Sequence, residues 1–213
     1  MTNYVGNYAL MYAINRKVSD IQRNASGTVP FYKEDMPKMS IYATPASVTS
    51  ESKVPLAPHT IIRWENQPQA YITFNSVNTI TQLTETDRVN LPQIGRKAKC
   101  PPLNSFDFFA IGGNPSGVVR LGKKQVPCRV HAVTLNVERV SSDIFRPSHP
   151  VSLEDLTGLT PKDIKRAELI RQTPPLLVNA YLKAEHYVCS DSLNTYYIAK
   201  PDARKYRSVL LPK

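Results

Sequence analysis

The stretch "GVVRLGKKQVPCRV", Gly117 to Val130, decides which kind of fold this chain can have. Gly117, four residues on to Gly122, and then Lys123 come within one residue of a phosphate-cradling loop, but Lys124 stands where that loop needs a magnesium-holding Ser or Thr. The residues between the glycines are Val118, Val119, Arg120 and Leu121, a β-branched, apolar run suited to a strand and not to a flexible anion-binding turn. The nucleotide-hydrolysing reading, and the parallel sheet that would accompany it, are set aside. What remains is a strand that ends in a cluster of positive charge.

That cluster extends upstream. From Gln93 to Val130 there are seven basic residues, Arg96, Lys97, Lys99, Arg120, Lys123, Lys124 and Arg129, against the single acid Asp107, so this window carries six of the ten net positive charges of the 213-residue chain. Such a local excess is the electrostatic footprint of a polyanion partner. Pro101, Pro102, Gly112, Gly113 and Pro115 interrupt it, so it cannot form the amphipathic helix of a membrane-surface binder. No apolar run reaches the roughly 20 residues of a membrane span, and the N-terminal residues lack the order of a signal peptide, so the expected location is the cytoplasm. Cys100, Cys128 and Cys189 are odd in number and widely spaced, which supports neither a disulfide framework nor a zinc site; three reduced thiols are expected, with Cys128 made more acidic by Lys123, Lys124 and Arg129.

Working outward, Tyr4 to Asn15 has helical spacing, and "MSIYATPAS", Met39 to Ser47, reads as a strand stopped by Pro45. "TIIRWE", Thr60 to Glu65, and "AYITFNSV", Ala70 to Val77, alternate with period two around "NQPQ" as a hairpin, with Trp64 as a base-stacking candidate. Leu91 to Pro102 reads as an exposed basic loop, and Phe106 to Lys124 as a second hairpin turning at "GGNPSG". Together, residues of approximately 91–128 form a basic loop and hairpin within a single domain spanning 1–213. Cys128 to Val140 reads as one long strand. Ser152 and Asp155 suggest a capped turn closed by Gly158, and Thr160 with Pro161 starts a helix that runs to about Gln172, with Lys162, Lys165 and Arg166 on one face. "LLVNAYLKAEHYVC" and "TYYIAK" are two strands around the turn "SDSLN", followed by the basic tail "ARKYRSVLLPK". Strands arrive as hairpins and outnumber short helices, which places the chain in the antiparallel α+β class.

Neither catalytic nor metal signatures stand out. The histidines His59, His131, His149 and His186 have no ligand spacing, and no cofactor is called for. His131 beside the basic cluster is the one candidate general base, for metal-independent cleavage of RNA at a 2′-hydroxyl; a histidine without a positioned partner more often serves structure or RNA contact.

Three pieces in series, "VGNYALMYAIN", "IYATPAS" at Ile41 to Ser47, and "VVRLGKK" at Val118 to Lys124, resemble the Cas-five-type subunit of type I-D CRISPR surveillance complexes, a member of the RAMP superfamily. The resemblance implies a ferredoxin-like core, as in RNA-recognition motifs, with an antiparallel sheet and an inserted β-hairpin thumb for which residues of about 91–128 are the candidate. It implies a non-catalytic subunit that holds the 5′ handle of the guide RNA, caps the backbone, and meets a Cas-seven-type backbone subunit and the large subunit, with target DNA near the PAM as an open partner. Arg96, Lys97, Lys99, Arg120, Lys123, Lys124, Arg129 and Trp64 are then the RNA-binding candidates. The alternative is an endoribonuclease that processes CRISPR precursor RNA; in type I-D systems a separate Cas-six-type enzyme is expected to do this. A ferredoxin-like core begins with a strand, whereas here a helix is expected by residue 7 with nothing ahead of it. Either the first strand is missing or the core is built without it.

Overall fold

The computed structural model describes residues 4–15, 32–49, 105–121, 126–156, 158–170 and 174–210, and two further strands, 72–78 and 95–100, as backbone. Every ladder among them is antiparallel, and the helices are few and short, as the α+β expectation required.

The first half packs around one helix. β1 (Tyr4–Val5) leads directly into α1 (Asn7–Ile14), so a strand does precede the helix, contrary to the expectation of none. Two residues are too short for period-two alternation to register, which is why the sequence did not reveal it. On α1, Leu10, Met11 and Ala13 are buried, as is Tyr8 one turn before Met11. They meet Met36 and Met39 from the segment after α2 (Tyr32–Asp35), and Tyr206 from the far end of the chain. The expected strand Met39 to Ser47 is split into β2 (Tyr42–Ala43) and β3 (Ala46–Val48). Thr44 still donates its N–H to Phe109 O at 2.9 Å and accepts the Phe109 N–H on Oγ1 at 3.0 Å, but Pro45 has no N–H to continue the ladder. β3 therefore pairs with β1 and β6 (Phe106–Asp107), while β2 pairs with β7 (Ala110–Ile111). After β7, Gly112 at φ +95° turns the chain so close to Ser40 that a Cβ there would lie 2.6 Å from its carbonyl oxygen. Only glycine fits.

One expected hairpin and one expected long strand come out differently, and part of the expected basic loop is a strand. β4 (Ile72–Asn78) pairs with β5 (Gly95–Cys100), so part of the expected basic loop is a strand; the hairpin partner expected for β4, residues 60–65, lies outside the described residues. β8 (Gly117–Leu121) returns along β9 (Val126–Val130), not along Phe106 to Ile111, whose strands β6 and β7 pair with β3 and β2. The long strand Cys128 to Val140 is interrupted: β9 ends at Val130, and β10 (Asn136–Ser141) begins after five residues outside every ladder. Alternation continues through the gap, but the two strands belong to different sheets.

The second half centres on β14 (Leu176–Lys183), whose Leu176, Leu177, Val178, Ala180 and Leu182 are buried. β11 (Ile144–Phe145) and β12 (Val151–Ser152) pair with its two ends, and β13 (Ile164–Ile170) runs along it. The helix expected from Thr160 to Gln172 is thus replaced by a strand over 164–170. Its start at Thr160 and Pro161 forms as read, and a reciprocal capping box between Thr160 and Asp163 holds it, but the chain leaves the turn at Ile164 with φ −107° and ψ 104°. A weak helical preference yields to a ladder that β14 offers over its whole length. "LLVNAYLKAEHYVC" is likewise two strands, β14 and β15 (His186–Ser190), and β15 forms the expected hairpin with β16 (Thr195–Ala199) while its other edge pairs with β10. α3 (Arg207–Leu210) closes the described chain.

Candidate nucleic-acid interface

The β8–β9 hairpin is amphipathic by period two. Val119, Leu121, Val126 and Cys128 turn inward against the helix-centred core, while Val118, Arg120, Pro127 and Arg129 face solvent. The register pairs Val118 with Arg129 and Arg120 with Pro127. Directly opposed residues share a face, so Arg120 and Arg129 are diagonal neighbours on the exposed side, within reach of phosphates along one strand. The expectation that positive charge lowers the Cys128 pKa is overturned: burial of its thiol raises the pKa, because this side chain points into the core, away from the arginine face. Lys123, Lys124 and Trp64 lie outside the described residues. Arg96, Lys97 and Lys99 occupy β5, with Arg96 opposite Val77 and Lys99 opposite Thr73, at backbone level only. The P-loop alternative also ends here, since Gly117 opens a strand paired at both ends, and the next described element is the strand β9.

A groove of 580 Å³ adjoins the hairpin, between residues 106–115 and 130–137. Its floor is one face of the β10–β15–β16 sheet, presenting Val137, Tyr187, Cys189 and Ile198; Phe108 stands in one wall, and His131 and Val133 in the other. Residues 131–135 border it outside every ladder, and the Ala132 N–H reaches across to Ser116 Oγ at 3.2 Å. His131 is exposed and makes no hydrogen bond among the described residues.

The other described histidines are structural. His149 is enclosed, donating from Nδ1 to Pro150 O at 2.6 Å and accepting the Ala199 N–H on Nε2 at 3.2 Å, which fixes a neutral tautomer; burial lowers its pKa to about 4. His186 stacks on Phe145 with ring centroids 3.8 Å apart and bonds Ala184 O through Nδ1 at 3.0 Å.

One polar constellation was not foreseen. Asp155, expected to cap its own turn with Ser152, is instead a buried hub. Its Oδ2 accepts from Asn7 Nδ2 at 2.5 Å and from Tyr42 OH at 3.0 Å, and its Oδ1 accepts from Tyr206 OH and from Lys205 Nζ at 3.2 Å. Lys205 also donates to Tyr8 OH and lies 4.8 Å from the centroid of that ring, while Tyr8 OH donates to Glu154 Oε2 at 2.8 Å. Burial pushes the Asp155 pKa up, against the Lys205 charge and the tyrosine hydroxyls that hold it down, and the Tyr8, Tyr42 and Tyr206 phenols are pushed up by burial and by this carboxylate. Ser152 Oγ is buried without a hydrogen-bond partner among the described residues. The hub joins residues about 150 positions apart, a separation at which no sequence spacing rule operates. Asp155 itself is buried, while the Lys205 side chain beside it keeps a quarter of its surface in solvent, and the cluster ties the two ends of the chain together.

Among the described residues no cluster of His, Cys, Asp and Glu could hold a metal ion, and no helix is long and apolar enough to cross a membrane. No curated protein matches the chain. A family model described as type I-D CRISPR-associated protein Cas5/Csc1 matches residues 1–207.

Proposed function

Because the chain belongs to the type I-D CRISPR-associated Cas5/Csc1 family, we propose that it is a non-catalytic subunit of the CRISPR effector complex that binds the 5′ handle of the guide RNA. It caps one end of the backbone there, in contact with a Cas-seven-type subunit and the large subunit, and acts in the cytoplasm. The observation that carries this reading is the solvent face of the β8–β9 hairpin, where Arg120 and Arg129 share one side of a rigid two-stranded element anchored in the core. Cationic side chains on a preformed hairpin neutralise phosphates without ordering a loop on binding. In the wider family picture this hairpin, or the β4–β5 ribbon bearing Arg96, Lys97 and Lys99, is the thumb on a ferredoxin-like core. His131 has no described residue positioned to activate it, which favours binding over cleavage.

The test is salt-dependent RNA affinity. Arg120→Ala and Arg129→Ala should each weaken binding of repeat-derived RNA, and each should flatten the slope of log K against log salt by ~0.7 for every phosphate that is no longer neutralised. Affinity and slope identical to the parent would refute the assignment. Incubation with the same RNA in EDTA should give no cleavage; cleavage abolished by His131→Ala would replace this reading by the endoribonuclease.

A further inference from the structure

We propose that the groove between residues 106–115 and 130–137 is a nucleobase subsite, taking one unstacked base of the single-stranded RNA whose phosphates the adjoining hairpin holds; the inference rests on the binding function proposed above. Size comes first: 580 Å³ falls in the range of about 300–1,000 Å³ typical of small-ligand sites, ample for one base and its sugar.

The distribution of charge comes second. Residues 106–115 and 130–137 contain no Lys or Arg and one acid, Asp107, so these walls offer a phosphate no cationic side chain. The cations stand just outside, with Arg129 next to wall residue Val130 and turned to the opposite side of the strand. A ribose-phosphate strand lying along the arginine face keeps its charges on the hairpin, and a base that passes the end of β9 at Val130 meets an uncharged recess on the other side. This separation of charged ridge from neutral, partly aromatic cleft is the arrangement that single-stranded RNA recognition requires, because bases splay away from their phosphates to be stacked and read.

The lining comes third. Phe108 and Tyr187 supply aromatic surface, His131 and Thr134 supply side-chain hydrogen-bonding groups on the opposite wall, and residues 131–135 run outside every ladder, where their backbone can read a base edge.

The experiment uses the full-length chain and single-stranded oligoribonucleotides that each carry one 4-thiouridine. Irradiation should give crosslinks to peptides within 106–115 or 130–137. Val133 lines the groove and is 82% exposed, so Val133→Trp adds bulk to this wall without disturbing the core. That variant and His131→Ala should each lose about tenfold in affinity with the salt slope unchanged, since a base contact releases no counterions. Parental affinity in both variants, with crosslinks elsewhere and with Arg129→Ala still flattening the slope, overturns the subsite and leaves the binding function standing. A parent chain without RNA affinity at any salt overturns both. If Val133→Trp keeps full RNA affinity but blocks co-purification with the backbone subunit, the groove is a protein-docking surface and the proposal fails.

Discussion

At the scale of single residues, sequence reading errs wherever a polar side chain is buried. His149 looks like any of four histidines in the sequence, yet its enclosure holds it neutral with both ring nitrogens engaged. Its folded pKa of about 4 lies below the ordinary 6.5, so the unfolded chain binds a proton that the folded one refuses. The stability it protects is complete above pH 6.5 and is lost as pH falls towards 4, by about 3 kcal/mol over that interval. Urea denaturation at pH 7 and pH 5 should show a smaller loss for His149→Gln than for the parent; equal pH dependence would mean that His149 is not the group responsible. Cys128 errs in the same way, since neighbouring lysines in sequence say nothing about the face on which a thiol stands. Asp155 is the largest case, a residue legible as a turn-former that is in fact the most heavily bonded carboxylate described.

At the scale of elements, local chemistry decides turns well and strand partners poorly. The "SDSLN" turn forms as its composition requires. Asp191 Oδ1 accepts the N–H groups of Leu193 and Asn194, each at 2.7 Å, and Oδ2 accepts Tyr196 OH at 2.8 Å. These bonds hold the Asp191 pKa below its ordinary value, so the turn's contribution is present above about pH 4 and fades as acid protonates the carboxylate. Asp191→Ala should lower the melting temperature at pH 7, and Asp191→Asn, which keeps an acceptor oxygen, should lower it less. Equal melting of all three proteins would show that the β15–β16 register is fixed by the strands alone. The start at Thr160 and Pro161 was equally legible, but the Thr160–Asp163 capping box and the strand beyond it were not: Ile164–Ile170 carries residues acceptable in a helix, and the presence of β14 selects the extended form. Likewise the alternation of Val118 to Leu121 shows that a strand exists, while its partner, β9, is set only in the folded chain.

At the scale of the whole molecule, the C-terminal segment ties the two halves together. Asp202 N–H bonds Asp155 O at 2.8 Å, Lys205 and Tyr206 bond the Asp155 carboxylate, and Tyr206 is fully buried in the helix-centred core, with its ring 4.8 Å from that of Tyr42. Removing the Lys205 charge with Lys205→Met leaves a buried carboxylate without its cation and should cost about 3–5 kcal/mol in urea unfolding. Adding Asp155→Asn should recover part of that loss, because the amide needs no counter-charge. Additive destabilisation in the double variant would show that the pair is not coupled. From its own residues the sequence determined the antiparallel α+β class, the position of α1, the "SDSLN" turn and the clustering of basic residues around β5, β8 and β9, because periodicity, proline, glycine and net charge act over a few neighbouring residues. Tertiary structure alone decided which strands pair, that Arg120 and Arg129 share a face, that a neutral groove opens beside them, and that Asp155 lies at the junction of both halves. Those outcomes depend on contacts between residues far apart in the chain, formed only once each strand has competed for a partner and each polar group has been either buried or left to water.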